Sequence, residues 1–171
     1  MLSFPVNARG DMTRAYVGLG SNIGDRRAAL EEAVRRLETG AGRVAARSCV
    51  YRTDPVEVID QEEFMNQVLA LDTSLEPAVL LGRCLAIERA MGRVRTRDKG
   101  PRVIDLDLLF YGDTVLKERG LEVPHPRLHL RRFVLAPLAE IAPGLRHPGL
   151  RLTVAALLDR CPDLSRVELL V

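Results

Sequence analysis

The sequence predicts an antiparallel α+β sandwich built as one domain. Three observations carry that expectation. Strand-like and helix-like segments follow one another in the order β-α-β-β-α-β, with additions at the C-terminal end. Two segments repeat apolar residues at helical spacing: Leu30, Val34 and Leu37 in one, and Leu80, Cys84, Ile87 and Met91 in the other. The 171 residues suffice for one substantial core and are short for two.

The elements follow in chain order. Residues 1–14 lack the apolar centre of a secretory signal and read as a flexible leader ahead of a single domain over residues 15–171. Ala15–Gly20 reads as a buried strand ending in glycines, and the "SNIGD" turn offers Ser21 or Asp25 to cap the first helix. Residues 42–53 are β-like, and Asp54-Pro55 breaks them. Residues 64–71 suggest another strand. Ser74 is expected to open the second helix, with Pro77 tolerated in its first turn and Gly92 at its stop. The apolar run around Asp105 reads as a strand, with "YGD" as a hairpin turn into "TVL". "FVLAPLAEI" and "LTVAALLDR" suggest two short C-terminal helices. In this arrangement the helices cover one face of the sheet.

Composition narrows the function classes. A formal net charge of +2 is too small for general nucleic-acid binding, so any electrostatic role must come from local clustering. Cys49, Cys84 and Cys161 are odd in number and form no C-x-x-C pair, which points to reduced thiols in the cytoplasm rather than to zinc or disulfides. No apolar run approaches the ~20 residues of a membrane span.

The informative stretch is "GPRVIDLDLLFYGD", residues 100–113. Alternation along a strand sends Asp105 and Asp107 to one side and Leu106 and Leu108 to the other, with the two aspartate Cα atoms roughly 6.5–7 Å apart. Two like charges on one face repel and require a cation. Mg²⁺ commonly takes one or two carboxylates together with phosphate oxygens. Immediately upstream, Arg93, Arg95, Arg97, Lys99 and Arg102 are bracketed by Gly92, Gly100 and Pro101. Guanidinium groups grip phosphate bidentately and keep their charge. Each feature alone is explained by a half-exposed strand and a solvated loop. Together they have the parts of phosphoryl transfer. A Walker-type phosphate loop is absent, and Gly18, Gly20 and Gly24 are spaced one residue too long for a dinucleotide fingerprint.

Taken together, "GPRVIDLDLLFYG", "VGLGSNIGD", "VYRTDPV", "FMNQVLAL", "IERAMGRVR" and "VPHPRLHLRRFVLAPLAEIAP" resemble the 6-hydroxymethyl-7,8-dihydropterin pyrophosphokinases, over about Ala15 to Asp159. The resemblance implies a ferredoxin-like fold. It also implies transfer of the terminal pyrophosphoryl unit of ATP to the pterin hydroxymethyl group, with release of AMP. By that resemblance Asp105 and Asp107 ligate two Mg²⁺ ions, while Arg93, Arg95 and Arg102 act on the transferring group. Glu88, His125 and Arg131 match ATP-binding positions. Thr53, Val56, Phe64, Asn66 and Phe133 match pterin-binding positions. Read without the resemblance, Glu88 is a helix-edge surface residue and the two phenylalanines belong to the core. Lys99, Asp54 and Pro126 depart from the family's usual residues. A monomer is expected, with no nucleic-acid or membrane partner. The rival reading is an RNA-binding module on a similar sandwich, which the aromatic-poor strands (4% aromatic overall) and the acidic D-L-D disfavour. A second rival is a nucleotidyl or other phosphoryl transferase sharing the aspartate pair.

Overall fold

The computed structural model describes residues 11–55, 62–93 and 101–170. Its main sheet contains β1 (Thr13–Ser21), β2 (Arg43–Arg47), β3 (Val50–Thr53), β4 (Phe64–Thr73), β5 (Asp105–Tyr111) and β8 (Val167–Leu170). A separate hairpin pairs β6 (Leu116–Glu118) with β7 (Leu121–Val123). The helices are α1 (Arg26–Gly40), α2 (Pro77–Ala90), α3 (Arg132–Ile141) and α4 (Val154–Asp159), with a 3-10 turn at Leu128–Leu130. The main sheet runs β5-β1-β4-β3-β8, with β2 also on β4, and every pairing is antiparallel.

The predicted element order is present, but the single helical layer is not. One sheet face packs Val17, Leu19, Leu69, Leu71, Leu106 and Leu108 against the stripes of α1 and α2. The opposite face buries Tyr16, Val68, Ala70, Leu109 and Phe110 beneath Leu128, α3 and α4. Helices therefore cover both faces. The C-terminal helices are themselves amphipathic, and a sheet face carrying these apolar residues needs a cover of its own.

Local chemistry sets the helix ends. Asp25 Oδ1 accepts the Ala28 amide at 3.0 Å, capping α1 as one of the two expected candidates. The second helix begins at Pro77 rather than at Ser74. Proline pushes the preceding residue out of the helical region, and Glu76 is extended at φ −60°, ψ 153°. Pro77 then occupies a first-turn position where no amide donor is needed. Residues 42–53 form two strands that both pair with β4. They break at Ser48, whose amide donates to the Val68 carbonyl and whose hydroxyl accepts the Val68 amide. "TVL" does not fold back on β5: β6 pairs with β7 across the two-residue turn Arg119-Gly120, where Gly120 takes φ 84°. The edge strand β8 carried no sequence signal strong enough to be read.

One irregularity matters for the site. Val17 pairs with Leu108 and Tyr16 with Phe110, which leaves Leu109 as the extra residue of a β-bulge. Leu109 and Phe110 consequently both reach the α3 side, while Leu106 and Leu108 stay on the α1/α2 side. Among the described residues no helix is long and apolar enough to cross a membrane.

Two glycines test this account of the backbone. Gly42 sits at φ 153°, and a Cβ there would lie 2.3 Å from the Asp72 carbonyl oxygen. Gly42→Ala should therefore destabilise by more than about 1 kcal/mol in urea unfolding. Gly82 is exposed within α2 and meets nothing within 4 Å. Gly82→Ala should stabilise by about 0.5–1 kcal/mol in the same measurement.

Candidate active site

The α3-side face of the sheet is incompletely covered, and a cavity of about 180 Å³ opens there. Its floor is made by alternate residues of the central strands. On β1 these are Gly18 and Gly20, which pair with Asp107 and Asp105 respectively. The G-x-G that imitates a nucleotide fingerprint is instead a bare strip of strand. A Cβ on Gly20 would lie 2.8 Å from Asn66 Oδ1, so that position of the floor has no room for a side chain.

Asp105 and Asp107 both line this cavity, as strand alternation requires. Three arginines from separate segments surround them. Arg93, just after α2, pairs with Asp105 and also with Glu88 at 2.5 Å. Arg102 Nη1 reaches Asp105 Oδ2 at 2.6 Å. Arg131 Nη1 stands 3.8 Å from Asp107 Oδ2, beyond hydrogen-bonding distance. Asp107 is thus the less compensated member. Burial, and then the charge of Asp105, push its carboxyl above the ordinary carboxylate range.

Glu88 is not a surface residue. It is 3% exposed, and its Oε1 accepts the Leu106 amide at 2.7 Å, the residue between the two aspartates. Burial pushes its carboxyl up, against the opposing pull of the Leu106 amide and Arg93. Sequence spacing placed Glu88 at the helix edge; α2 lies on β5 closely enough to bury that edge. An acid seven residues after one apolar position, Leu81, and three after another, Leu85, can reach inward from the helix edge.

His125 hangs from the bulge: its amide donates to the Leu109 carbonyl at 2.8 Å. Its Nδ1 accepts the Arg127 amide at 3.1 Å, which leaves the ring proton of the neutral imidazole on Nε2. Burial, then Arg131 and Arg127, push its pKa down to about 4.

At the other end of the cavity, Asn66 Nδ2 donates to Thr53 Oγ1 at 2.7 Å, both residues being buried. Phe64 and Phe133 are half-buried and line the cavity; Phe133 also packs against the α3-side core, as the sequence suggested. The Arg102 guanidinium carbon lies 5.9 Å from the Phe64 ring centroid, and that of Arg131 lies 5.7 Å from the Phe133 centroid. Each ring thus carries a cation from the aspartate cluster. Val56, Arg95, Arg97 and Lys99 lie outside the described residues. Arg127, Leu130 and Pro55 also line the cavity without having been singled out in the sequence.

Among the described residues no three histidine, cysteine or acidic side chains gather as a metal cage. A carboxylate pair facing open space suits a hard cation that completes its shell with water and phosphate oxygens, as Mg²⁺ does. A cavity bordered by an amide and aromatic rings and joined to an arginine–carboxylate cluster has the parts of a transferase acting on a polyphosphate and a planar acceptor.

The comparisons make this specific. The chain belongs to the 7,8-dihydro-6-hydroxymethylpterin-pyrophosphokinase (HPPK) family, whose model matches residues 16–143. It is 54% identical over 135 residues to a 2-amino-4-hydroxy-6-hydroxymethyldihydropteridine pyrophosphokinase of Methylorubrum extorquens, covering 78% of this chain and 85% of that one. To the enzyme of the same description in Pseudomonas aeruginosa it is 46% identical over 153 residues, covering 87% and 92%. The wild-type HPPK-DHPS of Plasmodium falciparum matches in fold, with TM-score 0.69 at 16% identity, over 87% of this chain and 44% of that longer one. The fold is ferredoxin-like, as the resemblance implied. The protein is an ATP-dependent diphosphokinase of folate biosynthesis: it transfers pyrophosphate from ATP to the hydroxymethyl group of 6-hydroxymethyl-7,8-dihydropterin, giving AMP and the pterin diphosphate.

The depressed His125 pKa makes a prediction about stability. Protonating this ring is harder in the fold than in the unfolded chain, where its ordinary value is 6.5. Its contribution is therefore complete above about pH 6.5 and is lost as pH falls toward about 4. Urea unfolding followed across that window should show a shallower loss for His125→Gln than for the wild type.

Proposed function

We propose that the reaction is carried out at the Asp105/Asp107 cluster, with the pterin seated in the slot between Phe64 and Phe133. The observation that supports this most is the convergence of Arg93, Arg102 and Arg131 on two carboxylates at one end of the same cavity that holds Asn66 and Thr53 at the other. Asn66 both donates and accepts, which suits the edge of an aminopyrimidinone ring. Thr53 Oγ1 already accepts from Asn66 and so fixes which way that amide points. Val56 is assigned to the pterin side by the family resemblance. Phe64 and Phe133 offer flat apolar surfaces to a planar heterocycle.

On the nucleotide side, Arg131, His125 and Glu88 bind ATP together with Arg95. His125 presents its Nε2 proton to an anionic oxygen. Arg93 and Arg102 lie against Asp105 before substrate arrives, so both guanidinium groups are held near the place where phosphate charge develops. Two Mg²⁺ ions on Asp105 and Asp107 would neutralise the phosphate chain and hold its geometry. The pterin hydroxyl oxygen attacks the β-phosphorus in line, the bond from that phosphorus to the oxygen bridging it to the α-phosphate breaks, AMP departs with that oxygen, and the hydroxyl proton is released to solvent. No side chain among those assigned is placed as a general base. Positioning and charge stabilisation carry most of such a transfer. A monomer acting in the cytoplasm is consistent with this assignment.

Asp107→Ala should lower turnover by about three orders of magnitude, on the scale of removing a charge clamp from a transferring phosphoryl group, with the unfolding midpoint retained. Activity near wild type in Mg²⁺ and ATP would refute the metal assignment. Arg102→Ala should slow single-turnover chemistry by about 10²–10³-fold and weaken pterin binding, measured by calorimetry, much less. Equal losses would reduce Arg102 to a binding role.

A further inference from the structure

The "SNIGD" turn, beyond supplying the α1 cap, holds a buried residue with no part in the assignment above. Asn22 is 2% exposed and lies just after β1. Its Oδ1 accepts the Arg102 amide at 2.8 Å, and its own amide donates to the Arg102 carbonyl at 3.1 Å. Its Nδ2 donates to the Glu62 carbonyl at 3.3 Å, two residues before Phe64. The next turn of chain repeats the attachment, for Arg26 Nη1 reaches the Glu63 carbonyl at 2.6 Å.

From this geometry we infer that Asn22 is a positioning residue that ties the phosphate half of the site to the pterin half. The inference rests on the proposed roles of Arg102, Phe64 and Asn66. Among the described residues, 101–104 lie in no strand or helix, since β5 begins only at Asp105. Its backbone is fixed by the paired bonds to Asn22, and its guanidinium is then aimed at Asp105 and across Phe64. The same amide, through Nδ2, holds the entry of β4, which carries Phe64 and Asn66. A carboxamide is suited to this task because one oxygen accepts while the nitrogen donates. Aspartate would keep the acceptor and lose the donor, so the two attachments can be separated by substitution.

The test measures single-turnover kcat and pterin Kd for Asn22→Ala and Asn22→Asp, beside Arg102→Ala and Asn66→Ala as controls, with thermal unfolding recorded for each. Asn22→Ala should slow chemistry by about 10-fold and raise pterin Kd by about 5-fold, the scale of losing one hydrogen bond at each end. Asn22→Asp should keep the rate within about 2-fold of wild type and still raise Kd by about 5-fold. A residue that only supports the fold would move both constants together in both variants, and that result, or wild-type constants in Asn22→Ala, overturns the inference. Should the alanine variant not fold, Asn22→Asp alone must show the raised Kd with the rate retained. If Arg102→Ala and Asn66→Ala change neither constant, the assignment of the site itself has failed. If they behave as proposed while the Asn22 variants do not, only the role of Asn22 is lost.

Discussion

Two carboxylates on one face of a short strand cannot be left uncompensated, and the architecture around β5 follows from that. Asp105 and Asp107 face the same way because strand side chains alternate. Their repulsion is met by guanidinium groups drawn from three places in the chain: Arg93 after α2, Arg102 ahead of β5 and Arg131 at the start of α3. Asp105 takes two of the three, and Asp107 keeps the longer contact. The uneven distribution leaves Asp107, which lines the cavity, with the smaller share of positive charge. Burial alone would make such a residue a liability; under the proposed function it is where a cation would bind.

The sheet separates stability from chemistry by face. The α1/α2 side is an apolar layer in which Val17, Leu19, Leu69, Leu71, Leu106 and Leu108 meet the two helices. The other side is half core and half cavity, with Phe110, Tyr16 and Leu128 sealed under α3 and α4, and glycines, amides and acids exposed toward the open end. The bulge at Leu109 sits at the boundary. It turns two consecutive side chains into the second core, and its carbonyl holds His125. A regular strand would have sent Phe110 to the opposite face and shifted the segment carrying His125. Bulges beside active sites commonly re-aim side chains in this way.

Glu88 illustrates how support and function merge. Its carboxylate accepts the amide between the two aspartates and pairs with Arg93, so it joins α2 to both partners of the cluster. A buried acid with an up-shifted pKa is often a sign of a working site. Here the same bonds also secure an edge strand. Asn22 is the neutral counterpart at Arg102, where its two bonds to the Arg102 backbone hold an arginine that lies outside any regular element.

The sequence by itself determined the element order, the two helical stripes, the shared direction of Asp105 and Asp107, and, through several ordered motifs, the family. These are local properties: periodicity, caps and short spacings are read within a few residues. What only the tertiary structure decided depends on contacts between distant segments. The second helical layer, the burial of Glu88 and the exposure of Phe64 and Phe133 to a cavity could not be read from spacing, because each depends on what packs opposite. The start of α2 at Pro77 was readable from the proline's effect on Glu76, whereas β8 is too short and irregular in pattern to announce itself before it pairs with β3. Asn22 was visible only as a turn residue. Its importance arises from meeting Arg102 eighty positions away, where its amide satisfies backbone groups that no regular element supplies.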